Sequence, residues 1–295
     1  MIKVRVPATC ANVGPGFDCL GIALNMYNSF KVEEIENGVE ILGCEDEFKN
    51  KNNMIYSSMI KTFEIIGYKP KGLRIEIEGN VPVSRGLGSS ASCIVGGVMA
   101  ANELSGGILK REDIINIAAK IEGHPDNTTP AIVGGMTVSI MQDENVIFEK
   151  INILDNIKFC ALIPNFRLST KKAREVLPKE ISFSDGVYNI GRTALLISSL
   201  VNGNFDFVKY ALEDRMHQIY RKKLIANYDD IVEKCYEYGA IGVFLSGAGP
   251  TIMAVLRGND EFFVNKMGGF LKGINSNWLL KELNIDKQGA NIIRN

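Results

Sequence analysis

Histidine is scarce in this chain, and paired cysteines are missing. Its two histidines, His124 and His217, lie far apart in the 295 residues, which excludes a His-rich metal site and an H-E-x-x-H motif. The six cysteines form no C-x-x-C pair, a pattern typical of reduced, mostly buried thiols in a cytosolic protein. We therefore expect the chemistry to rest on other residue types.

Long apolar runs and an excess of one charge are also missing. No stretch approaches the roughly 20 apolar residues that a membrane span needs, and the segment Met1–Val6 alternates like a strand, unlike a signal peptide. The net charge is −1, so no global field attracts nucleic acid or a membrane surface. The sequence predicts a cytoplasmic globular protein of about two domains that binds neither.

Two common nucleotide signatures are absent as well. No G-x-x-x-x-G-K-[ST] motif occurs, which excludes a standard P-loop. The run Gly86-Leu87-Gly88 is followed by Ala91 where the dinucleotide fingerprint carries its third glycine, although alanine is sometimes accepted there. Any case for a nucleotide must therefore come from several parts of the chain together.

The stretch Val81–Ser92 nevertheless suits an anion. It follows a half-buried strand, Leu73–Glu78, and precedes a helix predicted over Ala91–Leu104. The first N–H groups of a helix have no intrahelical partner, and Gly86 and Gly88 would let the backbone approach a ligand. These residues alone leave two interpretations open, a phosphate cradle and a glycine-rich turn that ends a hairpin.

An acid ends the next predicted helix, Lys110–Glu122, just before Gly123. The helix dipole disfavours an anion at that end, so Glu122 indicates a compensating cation such as a metal ion, or else a solvated glutamate with a small cost. A polar loop is predicted over His124–Pro130, immediately after it. Its adjacent polar groups could line a site, or Asp126 and its neighbour could cap a following turn.

The first loop of the chain, Pro7–Asp18, is dense in turn formers and joins two predicted strands. It can present Asn12 and Asp18 at a strand edge, or both can form Asx turns with their own backbone. Further along, Asn37-Gly38 predicts a hairpin, and Phe205–Leu224 reads as one helical stretch.

The pattern changes near residues 150–157, which predicts a boundary between domains spanning residues 1–152 and 153–295. The second half has helices and strands in the order α-β-β-α-β, as in an α+β layer.

Three motifs, taken together, resemble those of the GHMP small-molecule kinases. They are Pro7–Asp18, the run from Pro82 to Ala91, and Leu245–Thr251, and their order and spacing match over nearly the whole chain. This resemblance implies an α+β fold of two domains, a ribosomal-protein-S5-like N-terminal domain that binds ATP and a ferredoxin-like C-terminal domain.

Within that superfamily the chain is most similar to the homoserine kinase branch. The similarity rests on five segments: Asn12–Asp18, Arg85 within Val81–Ser92 (the glycine loop), Glu122–Asn127, Ser169–Arg174 and Tyr220-Arg221. One departure is Thr128-Thr129, where the branch usually has Val-Ala. The resemblance implies phosphorylation of the side-chain hydroxyl of L-homoserine by ATP, a step of threonine biosynthesis.

The resemblance also implies residues for the nucleotide. Mg²⁺ would be held by Ser90 and Glu122. The ATP phosphates would be wrapped by eleven consecutive residues: Pro82, Val83, Ser84, Arg85, Gly86, Leu87, Gly88, Ser89, Ser90, Ala91 and Ser92.

The acceptor would be bound by a second set of residues: Asn12, Asp18, His124, Asn127, Arg174, Arg221 and Gly247. Asn12 and Asp18 suit its ammonium group, and the planar forks of Arg174 and Arg221 suit its carboxylate. The catalytic candidates are Asn127, Asp126 and Arg85. Asp126 is the candidate base, and a loose transition state also leaves open a reaction without an essential base.

Two alternative functions are carried forward. One is another GHMP kinase, with mevalonate or a sugar as acceptor, and the other is a nucleotide-binding regulator without activity. Ser90, Glu122 and Asn127 are intact, which disfavours the regulator. Whether the chain forms a homodimer stays open at this stage.

Overall fold

A computed structural model describes residues 1–153, 156–274 and 277–294. The strands are β1 (Ile2–Ala11), β2 (Leu20–Ile35), β3 (Gly38–Leu42), β4 (Gly72–Gly79), β5 (Met136–Gln142), β6 (Asn145–Ile151), β7 (Ile157–Pro164), β8 (Gly242–Leu245), β9 (Ile252–Arg257), β10 (Trp278–Leu283) and β11 (Asn291–Ile293). The helices are α1 (Met54–Ile66), α2 (Ser89–Leu104), α3 (Arg111–Glu122), α4 (Pro125–Val133), α5 (Thr170–Glu175), α6 (Phe183–Asn202), α7 (Val208–Ala211), α8 (Gln218–Arg221), α9 (Tyr228–Glu237) and α10 (Glu261–Gly273). The predicted α+β class is confirmed.

The first sheet has the strand order β11-β1-β2-β4-β3, with β5 joined to β2 and β6 joined to β5. β4 is antiparallel to β2, and β3 runs parallel to β4, so the hairpin predicted at Asn37-Gly38 is wrong. The more apolar strand takes the inner position: β4 buries Leu73 and Ile75 fully, whereas Ile41 is the buried side chain of β3.

Helices α1, α2 and α3 cover one face of this sheet. Apolar side chains of β1, β2 and β4 meet them in one cluster, which includes Val6, Phe30, Ile75, Met59 and Val95. At the Pro7/Ala8 step the pairing of β1 with β2 shifts register. Beyond that step Ala8 and Cys10 join a different cluster, which packs against the second sheet. One strand therefore contributes to both cores.

The second sheet has the antiparallel order β10-β7-β9-β8. Its other face packs against α9 and α10 in a cluster that includes Ile231, Cys235, Phe263 and Met267. The last strand, β11, returns to the first sheet and pairs with β1. Residues 154 and 155, within the segment predicted as the domain boundary, lie outside the described residues, and the boundary itself stays a prediction.

The single helical stretch predicted over Phe205–Leu224 is wrong. The chain forms short helical turns there, including α7 and α8, with a break between them. Within the break, the buried Asp214 carboxylate accepts hydrogen bonds from the backbone N–H groups of Met216, His217 and Gln218. A side chain that binds nearby backbone donors in this way competes with a continuous helix.

All six cysteines are free thiols, as the sequence predicts. No helix in the described ranges combines the length and apolar character needed to cross a membrane.

Candidate active site

A cleft of about 780 Å³ lies at the carboxyl-terminal side of β1, where the loop before α2 meets residues from the second half of the chain. Most of the predicted site residues line it: Asn12, Asp18, Val83, Ser84, Arg85, Gly86, Gly88, Ser89, Ser90, Glu122, His124, Asp126, Asn127, Arg174 and Arg221. The other predicted residues lie outside its lining: Pro82, Leu87, Ala91, Ser92 and Gly247. The functional role of each residue stays a prediction.

The glycine loop packs tightly on the protein. Gly88 has a φ of +68° and immediately precedes α2, and a Cβ there would lie 1.9 Å from Thr9 Oγ1. Gly86 has a φ of +76°, and its Cβ would lie 2.3 Å from the carbonyl oxygen of Ser246. These glycines are therefore required by close contact with the protein itself, whereas the sequence suggested only an approach to a ligand.

Protein donors occupy the carbonyl groups of this loop. Four consecutive carbonyl oxygens accept hydrogen bonds: Ser84 from Leu168 N (3.0 Å), Arg85 from Thr251 N (3.2 Å), Gly86 from Ser246 Oγ (2.6 Å) and Leu87 from Thr9 N (3.1 Å). The loop is thus held by hydrogen bonds from both the first and the second half of the chain. A fixed loop at a helix N-terminus is suited to hold an anion with its N–H groups.

Arg85 is bound to backbone carbonyls. Its Nε donates to the carbonyl of Pro164 at 2.9 Å, and its Nη1 donates to that of Val83 at 3.2 Å. Burial, with a smaller effect of Arg167, lowers the pKa of Arg85. The side chain therefore ties the glycine loop to the end of β7.

Replacement of Arg85 tests whether this tie is its main role. Arg85→Met should raise the KM for the nucleotide several-fold, about 3- to 10-fold for the loss of one or two hydrogen bonds, and leave kcat within about threefold. Steady-state kinetics with varied nucleotide measures both constants. A fall in kcat of about 10²-fold or more would instead support the catalytic role predicted from the sequence.

Ser90 and Glu122 face each other at the start of α2 and the end of α3. Ser90 Oγ donates to Glu122 Oε2 at 2.8 Å. Burial raises the pKa of Glu122, and the hydrogen bond from Ser90 offsets this only in part. The chain thus encloses a carboxylate at the negative end of a helix, where a cation would stabilise its charged form.

These two side chains fit Mg²⁺. The ion takes oxygen ligands at about 2.0–2.1 Å in an octahedron, so neighbouring ligand atoms lie about 2.9 Å apart. The Ser90 and Glu122 oxygens have nearly that separation, 2.8 Å. Among the described residues, one cluster of at least three His, Cys, Asp or Glu side chains could also hold a metal: ligand atoms of Asp18, His124 and Asp126 lie within 4.8 Å of one another.

The segment predicted as a polar loop after Glu122 is in fact helix α4. Pro125 occupies its first turn, where a missing N–H costs nothing. Asp126 is 1% exposed and accepts from His124 Nδ1 at 2.5 Å, while Asn127 Nδ2 lies 3.4 Å from the same carboxylate oxygen. The helix therefore places three adjacent polar side chains in the cleft.

Two opposing effects act on His124. Burial by itself would lower the pKa of His124, but the hydrogen bond and negative charge of Asp126, with Glu122 and Asp18 nearby, outweigh it and raise that pKa. A raised pKa keeps the imidazole protonated up to a higher pH than usual, and the protonated ring donates from both nitrogens.

Thr128 and Thr129 lie behind this cluster, away from the cleft. Both are fully buried, and neither hydroxyl has a hydrogen-bond partner within the described part of the chain. The departure noted in the sequence therefore affects the core, where an unpartnered hydroxyl costs free energy.

The matching prediction concerns stability. Thr128→Val keeps the shape and removes the hydroxyl, so the free energy of unfolding should stay the same or rise by up to about 1 kcal/mol. Thr62→Val is the matched control, because the equally buried Thr62 hydroxyl donates to the carbonyl of Ser58 at 2.8 Å. That control should lose about 1 kcal/mol in urea unfolding. An equal loss of unfolding free energy in both variants would contradict the conclusion that the Thr128 hydroxyl has no partner.

Asp18 and Arg174 form a bidentate ion pair at the other side of the cleft. Arg174 Nη2 and Nη1 lie 2.7 and 3.0 Å from the two carboxylate oxygens. The guanidinium of Arg221 lies close by, since both arginines stand over the Phe17 ring at 5.5 and 5.1 Å. Two guanidinium groups and one carboxylate therefore meet here.

Arg221 is almost fully buried, at 1% exposure. It donates to the carbonyls of Ala173 and Gly247 at 3.1 Å each. Burial lowers the pKa of Arg221 to about 10, with a further contribution from Arg174, so the group stays charged at neutral pH. Its orientation is fixed by backbone acceptors of the second half of the chain.

Asn12 links the first loop to the same point. Its Nδ2 donates to the carbonyl of Gly247 at 2.8 Å, and its Oδ1 accepts from the backbone N–H of Asp18 at 2.9 Å. The Gly247 carbonyl thus accepts from both Asn12 and Arg221, and Gly247 itself lies outside the lining of the cleft. Asn12 lines the cleft, and its side chain binds the backbone of Asp18 six residues on instead of two, so the Asx-turn interpretation is wrong for this residue.

The opposite end of the cleft is more apolar. It is lined by Phe48, Met54, Ile77, Val81 and Cys93. Such a surface suits the flat face of a nucleotide base.

Several supporting residues were assigned no role from the sequence. Thr9 Oγ1 donates to Asn127 Oδ1 at 2.8 Å, and Asn28 Oδ1 accepts from the N–H groups of Asn80 and Val81 at 3.0 Å each. Thr9 lies within the motif Pro7–Asp18, and that membership is the sequence signal that could have identified it. Asn28 lies inside a strand and carries no comparable signal.

Comparison with known proteins shows which family the chain resembles. The family model described as GHMP kinases N terminal domain matches residues 53–135, and that described as GHMP kinases C terminal matches residues 196–272. A homoserine kinase of Clostridium botulinum is 57% identical over 290 residues, which cover 98% of each chain.

Two solved structures extend the comparison. The crystal structure of homoserine kinase from Cytophaga hutchinsonii superposes with a TM-score of 0.89 at 28% identity, covering 99% of this chain and 97% of that one. Mevalonate kinase of L. major in complex with R-mevalonate superposes with a TM-score of 0.73 at 17% identity, covering 97% and 96%. The second likeness concerns the fold alone.

Proposed function

Since the chain belongs to the homoserine kinase family of the GHMP kinases, we propose that it transfers the γ-phosphoryl group of ATP to the side-chain hydroxyl of L-homoserine. The products are O-phospho-L-homoserine and ADP. The observation that carries this proposal is that one cleft joins a helix N-terminus with a nearby acid to a cluster of one carboxylate and two guanidinium groups.

The donor end uses the glycine loop and the start of α2. Backbone N–H groups of residues 85–91 and the helix dipole would meet the negative charge of the phosphates, whereas the N–H of Ser92 already donates to the carbonyl of Gly88 at 2.8 Å. Ser90 and Glu122 would hold Mg²⁺, which supplies neutralisation of charge on the transferred group when bound. Arg85 would help by fixing the loop, because its guanidinium is occupied by two carbonyls.

The acceptor end suits a zwitterion. L-homoserine carries an ammonium and a carboxylate on one carbon, and the cluster offers Asp18 for the first and Arg174 and Arg221 for the second. The Arg174–Asp18 pair holds its two charges side by side. Mevalonate carries a carboxylate but no ammonium, and a neutral sugar carries neither, so neither acceptor would match both signs of charge in this cluster.

The reacting hydroxyl would lie near α4. Asn127 and His124 would orient it, and Asp126 holds His124 in place through the 2.5 Å hydrogen bond. The raised pKa of His124 favours its protonated form, in which the imidazole donates hydrogen bonds. Asp126 stays the candidate base, although a loose transition state places little demand on one.

Acceptor analogues test the proposal in a coupled ADP-release assay. L-homoserine should have a kcat/KM at least about 10²-fold above that of 4-hydroxybutyrate, which lacks the ammonium, and of 3-amino-1-propanol, which lacks the carboxylate. Mevalonate and galactose serve as the acceptors of related kinases. A higher kcat/KM with either would replace the proposed substrate, and no ADP release with any acceptor would favour the regulator.

A further inference from the structure

Thr9 on β1 touches both ends of the reaction site without being exposed to it. Its exposure is 0%, and its hydroxyl donates to Asn127 Oδ1 at 2.8 Å. Its backbone N–H donates to the carbonyl of Leu87 at 3.1 Å, and the glycine loop rests on its side chain, since a Cβ at Gly88 would lie 1.9 Å from Oγ1. Thr9 therefore supports both the glycine loop and the side-chain amide of Asn127.

The strand irregularity explains why Thr9 faces the helices. Val4 and Val6 pack in the helix-covered core, but beyond the register shift at Pro7/Ala8 the residues Ala8 and Cys10 pack in the other core. Since side chains alternate along a strand, Thr9 then points toward α2 and α4. A regular strand would turn this position away from the site.

The contacts of Asn127 also fix the orientation of its amide. Asn127 lies between the Thr9 hydroxyl and the Asp126 carboxylate, from which its Nδ2 is 3.4 Å distant. A carboxylate only accepts hydrogen bonds, so it selects the NH₂ end, and the Thr9 hydroxyl donates to the oxygen end. The NH₂ group carries a second hydrogen that the contact with Asp126 does not use.

We propose that Thr9 is a positioning residue for phosphoryl transfer, an inference that rests on the proposed function. Its hydroxyl holds the Asn127 amide with the NH₂ group toward the acceptor hydroxyl, and its main chain holds the glycine loop at a fixed distance from that amide. Transfer depends on alignment of donor and acceptor, and a displacement of about 1 Å costs about 10²-fold in rate. Thr9 never contacts either substrate.

Two variants separate the hydroxyl from the rest of the side chain. Thr9→Val keeps the branched shape and should lower kcat about 10- to 100-fold, with the ATP KM within about threefold of the original. Thr9→Ser keeps the hydroxyl and should retain kcat within about threefold. A purely structural role would reverse this order, because serine loses the buried methyl group and valine does not.

A double-mutant cycle tests the route through Asn127. If Thr9 acts through that amide, Thr9→Val should cause no further loss of kcat in an Asn127→Ala background. Additive losses, or a Thr9→Val enzyme with unchanged kcat, would overturn the inference. Should the valine variant lack a folded circular dichroism spectrum, Thr9→Ala replaces it with the same expectations. Absence of homoserine phosphorylation in the unmodified chain would instead refute the proposed function.

Discussion

Glu122→Gln should lower kcat/KM for ATP-dependent phosphorylation about 10²- to 10³-fold at limiting Mg²⁺, the range expected for losing one strong source of charge stabilisation. Glutamine keeps the shape of the side chain and removes the charge that faces Ser90. The activity should recover in part at high Mg²⁺, since one weaker oxygen ligand remains. Titration of activity against Mg²⁺ measures the shift.

A control separates loss of metal from loss of structure. Glu112→Gln changes an exposed acid on the same helix, α3, and should leave the Mg²⁺ dependence unchanged. Burial raises the pKa of Glu122, so its charged form costs folding free energy at any pH above its ordinary pKa of about 4.3. Glu122→Gln should therefore have an equal or higher Tm at pH 7 without metal. Full activity of Glu122→Gln at limiting Mg²⁺ would remove this residue from the metal site.

Arg174→Gln should raise the KM for L-homoserine about 10- to 100-fold and leave the ATP KM within about threefold. The reason is the loss of a charge-assisted hydrogen bond to the substrate carboxylate. Each bond of this kind contributes about 1.5–3 kcal/mol to binding. The homoserine KM of Arg174→Lys should lie between those of the original enzyme and Arg174→Gln, because an ammonium keeps the charge but cannot form the bidentate contact. Steady-state kinetics with varied homoserine measures the change.

Arg192→Gln is the matched control for this prediction. Arg192 also pairs with a carboxylate in the second half of the chain, Glu213, at 2.9 Å, but it lies outside the lining of the cleft. Its replacement should leave both KM values unchanged. An unchanged homoserine KM in Arg174→Gln, or an equal rise in Arg192→Gln, would exclude Arg174 from the substrate site.

Local signals predicted the parts of the site that depend on neighbouring residues. Helix α3 ends at Glu122 before Gly123, as the sequence indicates, and α2 ends at Leu104 as predicted but begins at Ser89, two residues before the predicted start at Ala91. These boundaries follow from turn and capping chemistry, which acts over a few residues. The spacing of three motifs then indicated the family without any long-range information.

Several of the failures involve partners that are distant in the chain. The hairpin at Asn37-Gly38 is wrong because the more apolar β4 takes the place beside β2. The break before α8 depends on the Asp214 side chain, which is also bound by Asn189 Nδ2 at 2.6 Å from another helix. The expected roles of Asp18 and Arg174 did not include their contact with each other, across 156 positions of the chain. No local pattern encodes such partners.

The most direct test of the whole account is a crystal structure of the chain with Mn²⁺, a non-hydrolysable ATP analogue and L-homoserine. The anomalous signal of Mn²⁺ should lie on Ser90 and Glu122, and the homoserine carboxylate should contact Arg174 and Arg221. Mn²⁺ bound at Asp18, His124 and Asp126, or homoserine bound outside the cleft, would contradict the proposed site.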